Sequence, residues 1–500
     1  MKGSMRARPG NQPRTMTRRE LLAAGSFCIA GAGTILIPRT ARAQTAAFDY
    51  YIGPNGSDSN PGTLSAPWAI TALNSKASMY AGKRVGLLDG TYNIYSMMSS
   101  ASWERPALDI PAGTSSSPTV VAAVNLQKAI IDGSSGGTVS SVEAPLIGQA
   151  ERAGYATLDG LVLRNSHSSV VEFYRSGSSS GTRSNGVVVQ NCEIYGARNL
   201  QTGKGNNCGA IRMWGQQGAL IRNNHIHDCF GGSATEHEGY GIITFGCTSC
   251  IYEYNTIEKC AVGIYNKQTN NSGHTIRYNY IECIDRPTAS ALYDNNGGVT
   301  GTTYTINNNI LVSADAMDLS GMAPPGEGGY NIYNNTFYWD SSPSAGVYLP
   351  TSAAVRFYNN IMTMTGRPGY LGLFSVCIGS LTGSNFNCYS DSASASAHLG
   401  LVSLSNLGSV SILALAAWRT STGQDANALA ALPRFSDASA LSPDGFKLAS
   451  DSPCRNAGRV GGSTSGGTTD IGAWGGDVQR IGSSLANALR PAKATLTTVT

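Results

Sequence analysis

The chain has 500 residues, 60 of them Gly, with 13% charged residues and a formal net charge of +4. The positive excess sits in the first 43 residues, which hold eight Lys/Arg and one acid; the remainder carries 27 basic and 30 acidic groups, a net of −3. That balance excludes the basic surface of a nucleic-acid binder. Low charge with abundant Gly, Ser, Asn and Thr points to an all-β chain.

Residues 1–43 read as an export signal. Thr17-Arg18-Arg19-Glu20-Leu21-Leu22 is a twin-arginine pattern, a mildly apolar run follows from Leu21 to Ile37, and Ala41-Arg42-Ala43 is a small-x-small cleavage site. The run is too short and too rich in small residues to span a bilayer. Cys28 lies inside it rather than at the cleavage point, so no lipid anchor is indicated. The expected location is periplasmic or secreted, without stable membrane insertion.

Short β-type segments with turn residues between them follow: Tyr50-Tyr-Ile-Gly-Pro-Asn-Gly-Ser-Asp58, Ala66-Pro-Trp68, Arg84–Tyr92, Ile130-Ile-Asp-Gly133, Leu158–Asn165 and Asn185–Cys192. From there the chain repeats. Asn224, Asn255, Asn279, Asn309, Asn335 and Asn360 each precede an apolar residue by two positions (Ile226, Ile257, Ile281, Leu311, Phe337, Met362). Each also follows an apolar or aromatic residue by three (Ile221, Tyr252, Ile276, Ile306, Ile332, Phe357), and successive asparagines are 24 to 31 residues apart. A period of this size defines a solenoid whose coils bury their apolar faces only by stacking. Alternation turns each Asn inward, where a column of amides bonding from coil to coil meets the demand of a buried amide for partners.

Val410–Arg419 has apolar residues at helical spacing and predicts a helix. Ser452-Pro-Cys-Arg-Asn-Ala-Gly458 and Asp470-Ile-Gly-Ala-Trp474 precede a low-complexity Ala/Ser/Thr tail over 478–500. No linker divides the middle, so 44–477 is expected to be one domain. Cys229, Cys260 and Cys283 fall at similar places and predict an inward column of thiols, and Cys377/Cys388 are candidates for a local disulfide. Cys247-Thr-Ser-Cys250 lacks the second CxxC of a zinc site.

The segments at 50–68, 84–92, 130–133, 158–165, 185–192, 452–458 and 470–474 resemble, over roughly residues 49–476, the secreted right-handed parallel β-helix proteins that act on polysaccharides. These are the pectate lyase, alginate lyase and chondroitinase type. The resemblance implies a single-stranded right-handed parallel β-helix with an Asn ladder and loop insertions on one face. It leaves the reaction open, since one coil hosts many chemistries.

Before each Asn turn lies a second short strand: Ala210–Trp214, Gly241–Phe245, Gly263–Lys267, Ala291–Asn295, Ala316–Ser320 and Gly346–Pro350. Its second residue is always apolar (Ile211, Ile242, Ile264, Leu292, Met317, Val347) and faces the core, so the third and fifth face outward. Stacking then lines up Arg212, Trp214, Ile243, Phe245, Tyr265, Lys267, Tyr293, Asn295, Asp318 and Tyr348 on one surface, with Asp294 turned inward. Aromatic faces with Arg and Lys suit an acidic sugar chain. Insertions at 196–208, 230–240 and 285–290 bring Arg198, Lys204, Arg286, Glu236, His237 and Glu238 to the same side.

β-Elimination on a uronate is the favoured reaction. It needs a cation to neutralise the carboxylate, a base for the C5 proton and a donor for the leaving oxygen. Arg212 is the candidate cation, Lys267 the base, and Tyr265 or His237 the donor. The resemblance implies the same kind of arrangement, a Lys or Arg base on this sheet, often with Ca²⁺. Glu236 and Glu238 are the candidate ligands, although two carboxylates fall short of the roughly six to eight oxygens that Ca²⁺ takes.

Glycoside hydrolysis is the alternative, with Glu236, Glu238 and Asp318 as carboxyl groups; a non-catalytic carbohydrate-binding or adhesin solenoid is the third reading. The chain is expected to act as a monomer. His225-Ile-His227-Asp228, outward beside Glu258 and Glu282, reads as a polar surface row rather than a metal triplet, and His274 as structural.

Overall fold

The computed structural model describes residues 47–485 apart from 177–182, 199–206, 232–237, 268–270, 296–302, 316, 320–328, 340–345, 350–353, 365–373, 378–380, 392–397 and 404–405. All of them lie in one compact unit, Ala43–Thr500. Successive coils add one parallel strand to each of three twelve-stranded sheets, the third of which ends in one antiparallel strand, and the chain winds as a right-handed parallel β-helix. One coil runs Leu220–Arg222, His225–Cys229, Tyr240–Phe245, and the next Ile251–Glu253, Thr256–Cys260, Val262–Lys267. The register is parallel and unslipped: Ile221 pairs with Tyr252, Ile226 with Ile257, Ile242 with Ile264. The inward apolar residue of each strand therefore stacks on its counterpart in the next coil, and these columns are the core.

A two-residue turn joins the first sheet to the second, and its backbone explains its sequence. The first turn residue takes the left-handed conformation, φ 53° to 57° at Asn191, Asn223, Tyr254, Tyr278, Asn308, Asn334 and Asn359. Phe386 takes it too, at φ 56°; Asn tolerates that region better than most side chains and fills five of the eight. The second turn residue is Cys192 or a ladder Asn. The six predicted asparagines are fully buried, and each Nδ2 donates to the Oδ1 of the next at 3.0–3.1 Å. Asn387 extends the ladder by one step, accepting from Asn360 at 3.3 Å. Ser384 stands where the frame has an apolar residue, which is why the pattern missed it; its hydroxyl is spent on the buried Asp425, 2.8 Å away.

Three expectations need adjustment. Residues Asn406–Ala414 form a strand antiparallel to His398–Ser403, and the helix begins only at Leu415; pairing with the last strand of the third sheet takes Val410–Ala414 out of the predicted helix. Cys388 is a free thiol packed beside Cys454, on a different sheet from the strand carrying Cys377, so the Cys377/Cys388 disulfide is absent. The start of the expected tail is fixed: Ser483 N donates to Thr256 Oγ1 at 2.8 Å, Arg480 lies over Tyr254, and Ile481 is 2% exposed. Residues 1–43 and 486–500 fall outside the described residues. The inward thiols occur as expected, with Cys229 paired in register to Cys260 and Cys283 equally buried. No described helix is long and apolar enough to cross a membrane.

Candidate functional site on the outer face of the third sheet

The pairing register assembles the predicted rows. Arg212 lies beside Ile243, then Tyr265, Tyr293, Asp318 and Tyr348; Trp214 lies beside Phe245, then Lys267 and Asn295. Their neighbours Ile211, Ile242, Ile264 and Leu292 are in the core. Asp294 faces inward as expected, accepting from the Tyr330 hydroxyl at 2.8 Å. The side chains of Asn295 and Asp318, and all of Glu236 and His237, lie outside the described residues.

The face is more enclosed than an open groove. Ile243, Phe245, Tyr240, Val262 and Tyr265 form an apolar cluster separate from the core, flanked by Trp214 and Tyr293. Trp214 stacks on Phe245 with centroids 3.9 Å apart, and Tyr265 meets Tyr293 edge-on at 4.9 Å. Tyr265 is 7% exposed and Phe245 1%. The Trp214 indole N–H has no hydrogen-bond partner among the described residues, an unmet donor on an aromatic surface.

Arg212 is not available to a substrate, which corrects its expected role. It is wholly buried, ion-paired to Glu172 of the preceding coil, and capped by the Trp103 ring 3.7 Å from its guanidinium carbon. Its Nη2 also donates to the Trp103 carbonyl at 2.9 Å. Trp103 was missed because the contact crosses 109 residues to a loop outside the repeat, and Glu172 because it lies one coil before the first recognised repeat. Burial pushes Glu172 up to about 7, although Arg212 pulls it down.

Lys267 is half-buried at the other end of the cluster. Its ammonium donates to Asn207 Oδ1 at 2.7 Å and lies 5.5 Å from the Tyr265 ring centroid. Burial lowers its pKa, and Glu238 opposes that. Glu238 is itself 9% exposed and also holds the Tyr240 phenol, already raised by burial, further up. Glu238 is thus the one described carboxylate of the expected Ca²⁺ pair. The described residues do not furnish a calcium shell, and no step is routed through that ion.

Arg286 stacks on Phe230 at 4.5 Å and donates to the Gly231 carbonyl at 3.3 Å; Gly231 N in turn donates to the Glu238 carbonyl at 2.7 Å. Beside Phe230 opens a cleft of about 440 Å³, lined also by Tyr195, Arg198 and Asp228. A similar cleft of about 430 Å³ near the first coils contains Arg152 and Asp109, already paired at 2.7 Å.

Residues 147–323 match the family model described as the right handed beta helix region. No curated protein matches the chain in sequence. Among solved structures the chain is similar to pectate lyase Pel9A (15% identity, covering 85% of this chain and 95% of that one, TM-score 0.44). It is also similar to an alginate lyase from Paenibacillus sp. str. FPU-7 (17% identity, 60% and 93% covered, TM-score 0.40). A third is the mannuronan C-5 epimerase AlgE6 A-module of Azotobacter vinelandii (11% identity, 67% and 90% covered, TM-score 0.40). These proteins differ in reaction, and likeness at this level assigns none of their activities to the present chain.

Proposed function

We propose that the chain is an exported polysaccharide lyase that cleaves an acidic, uronate-containing polymer by β-elimination beside Lys267. The observation that carries this reading is the Lys267 ammonium, half-buried against Tyr265 with its pKa lowered by burial. A desolvated lysine populates the neutral amine that proton abstraction requires. In this scheme Lys267 takes the C5 proton, the electron pair forms the C4–C5 double bond, and the bond to the O4 leaving group breaks. Tyr265 is the described candidate to protonate that oxygen, and His237 the other.

With Arg212 sealed by Glu172, neutralisation of the uronate carboxylate passes to Arg286 and Arg198 on the insertions. Trp214, Phe245, Tyr293 and Tyr348 supply ring faces for the sugars, and the Trp214 N–H a donor for a hydroxyl. Asn295 and Asp318 extend the subsites by their register. Hydrolysis would need two facing carboxyl groups; Glu172 is sealed against Arg212, which leaves Glu238 as the described carboxylate beside Lys267.

Incubation with alginate, pectate and glycosaminoglycans, followed by absorbance at about 235 nm, tests the reading because only elimination makes an unsaturated uronate. Reducing ends without absorbance would replace it by hydrolysis. Binding without either product would leave a carbohydrate-binding solenoid.

A further inference from the structure

The second sheet carries a group of residues on its outer face that the proposed reaction does not use. Glu193 pairs in register with His225 of the next coil, and His227 follows two residues along the same strand. The pleat therefore sends both imidazoles to one side. Glu193, His225 and His227 each offer one ligand atom, and these atoms all lie within 4.8 Å of one another. His227 Nε2 is 3.3 Å from Glu193 Oε1. That spacing is about the edge of a tetrahedron whose centre is bonded at roughly 2.0–2.1 Å, the zinc distance to nitrogen and carboxylate oxygen.

Both histidines are backed by a second carboxylate. His227 Nδ1 lies 2.7 Å from Asp228 Oδ2, and His225 Nε2 lies 2.9 Å from Glu258 Oε1 of the following coil. A carboxylate behind the ring fixes the tautomer of a ligating histidine and raises its basicity. Each ring keeps its other nitrogen for an ion. The His225 side chain is 7% exposed, yet its Nδ1 has no hydrogen-bond partner among the described residues. A merely polar surface row leaves such a buried nitrogen unexplained. Tyr195 stacks on His227 with centroids 4.7 Å apart and covers one flank.

We propose that Glu193, His225 and His227 form a binding site for a divalent transition-metal ion, zinc above all, with Asp228 and Glu258 as the supporting carboxylates. Two imidazoles and a carboxylate suit zinc, whereas Ca²⁺ and Mg²⁺ take oxygen-rich shells. The ion ties together the coils bearing Glu193 and the histidine pair, on a sheet separate from the one that carries Lys267.

The test is titration of the full chelator-treated protein with ZnCl₂ by calorimetry, and with CoCl₂ by absorption spectroscopy. The expected result is saturable 1:1 binding, a raised thermal midpoint, and a cobalt spectrum of nitrogen and oxygen ligands without a thiolate charge-transfer band. His225→Ala/His227→Ala should abolish binding, and Asp228→Asn should weaken it by about 10–100-fold. Absence of saturable binding, equal binding in the double variant, or a thiolate band would each overturn the site. The cobalt spectrum of the wild-type protein decides the matter even where the double variant does not fold.

Discussion

Arg212 and Glu172 form an ion pair across neighbouring coils in which neither side chain is exposed to solvent. Removing one partner of such a pair strands a buried charge and costs about 3–5 kcal/mol. Arg212→Met should therefore lower stability by that order in urea denaturation, while turnover per folded molecule stays near the wild-type level. A variant of wild-type stability that has lost turnover would return Arg212 to the catalytic machinery.

The same pair sets a pH dependence. Burial outweighs Arg212 and raises Glu172 from 4.5 to about 7. For an acid whose folded pKa lies above its unfolded value, the contribution is fully present below the unfolded pKa and fades as pH rises through the folded one. Wild-type stability should thus fall between about pH 4.5 and 7 by up to about 3 kcal/mol on account of this group. Glu172→Gln, a neutral isostere of the protonated acid, should lack that slope. Parallel pH profiles of the two proteins would refute the assignment.

Lys267 gives the sharpest kinetic expectation. A neutral amine is the active form, so kcat/KM should rise with pH through the lysine pKa, with its midpoint below the ordinary lysine value of 10.5 because burial lowers it. Lys267→Ala should reduce turnover by at least about 100-fold with an unchanged circular dichroism spectrum. Retained turnover removes Lys267 from the site. Glu238→Gln separates electrostatics from structure: Glu238 favours the charged ammonium, so its neutralisation should move the midpoint further down.

The sequence made the coil legible because stacking imposes one frame on every repeat. The outward register of Arg212, Tyr265 and Lys267 followed from strand alternation alone. What covers that register did not follow. Trp103 reaches Arg212 from an insertion that obeys no period, and Asn207 reaches Lys267 the same way across 60 residues. Glu172 stands one coil before the first recognised repeat, so its place beside Arg212 was hidden. Periodicity specifies which way a side chain points, and loop contacts decide whether solvent meets it there.

The Asn ladder can be tested at its centre. Asn279 Oδ1 accepts both the backbone N–H and the Nδ2 of Asn255, at 2.9 and 3.0 Å, and Asn279 Nδ2 donates to the Tyr252 carbonyl at 2.8 Å. Asn279→Ala leaves these fully buried groups unmet and should cost about 2–4 kcal/mol. Asn279→Asp keeps the acceptor but sets a carboxylate against Asn309 Oδ1, its hydrogen-bond partner at 3.0 Å. It should be at least as damaging near neutral pH, and protonation at acid pH should recover part of the loss. Equal wild-type stability in both variants would mean that the ladder is incidental to the stacking.

The segment 478–485 should behave as part of the solenoid. Ile481 inserts into a cluster with Tyr280, Ile310 and Val312 on the outer side of the second sheet. Ser484 N and Arg480 Nη1 both donate to Asn223 Oδ1, at 3.0 and 3.1 Å. Asn223 occupies a left-handed turn position with φ 53°, so these bonds hold in place a residue that the backbone alone holds weakly. Ile481→Ala should cost about 2–4 kcal/mol, and deletion of 478–500 at least as much. Amide exchange read at Ile257 and Ile281, the core residues of those coils, provides the check. Protection there should fall by the same free energy if the segment and the coils open together, and should stay unchanged if the segment detaches on its own.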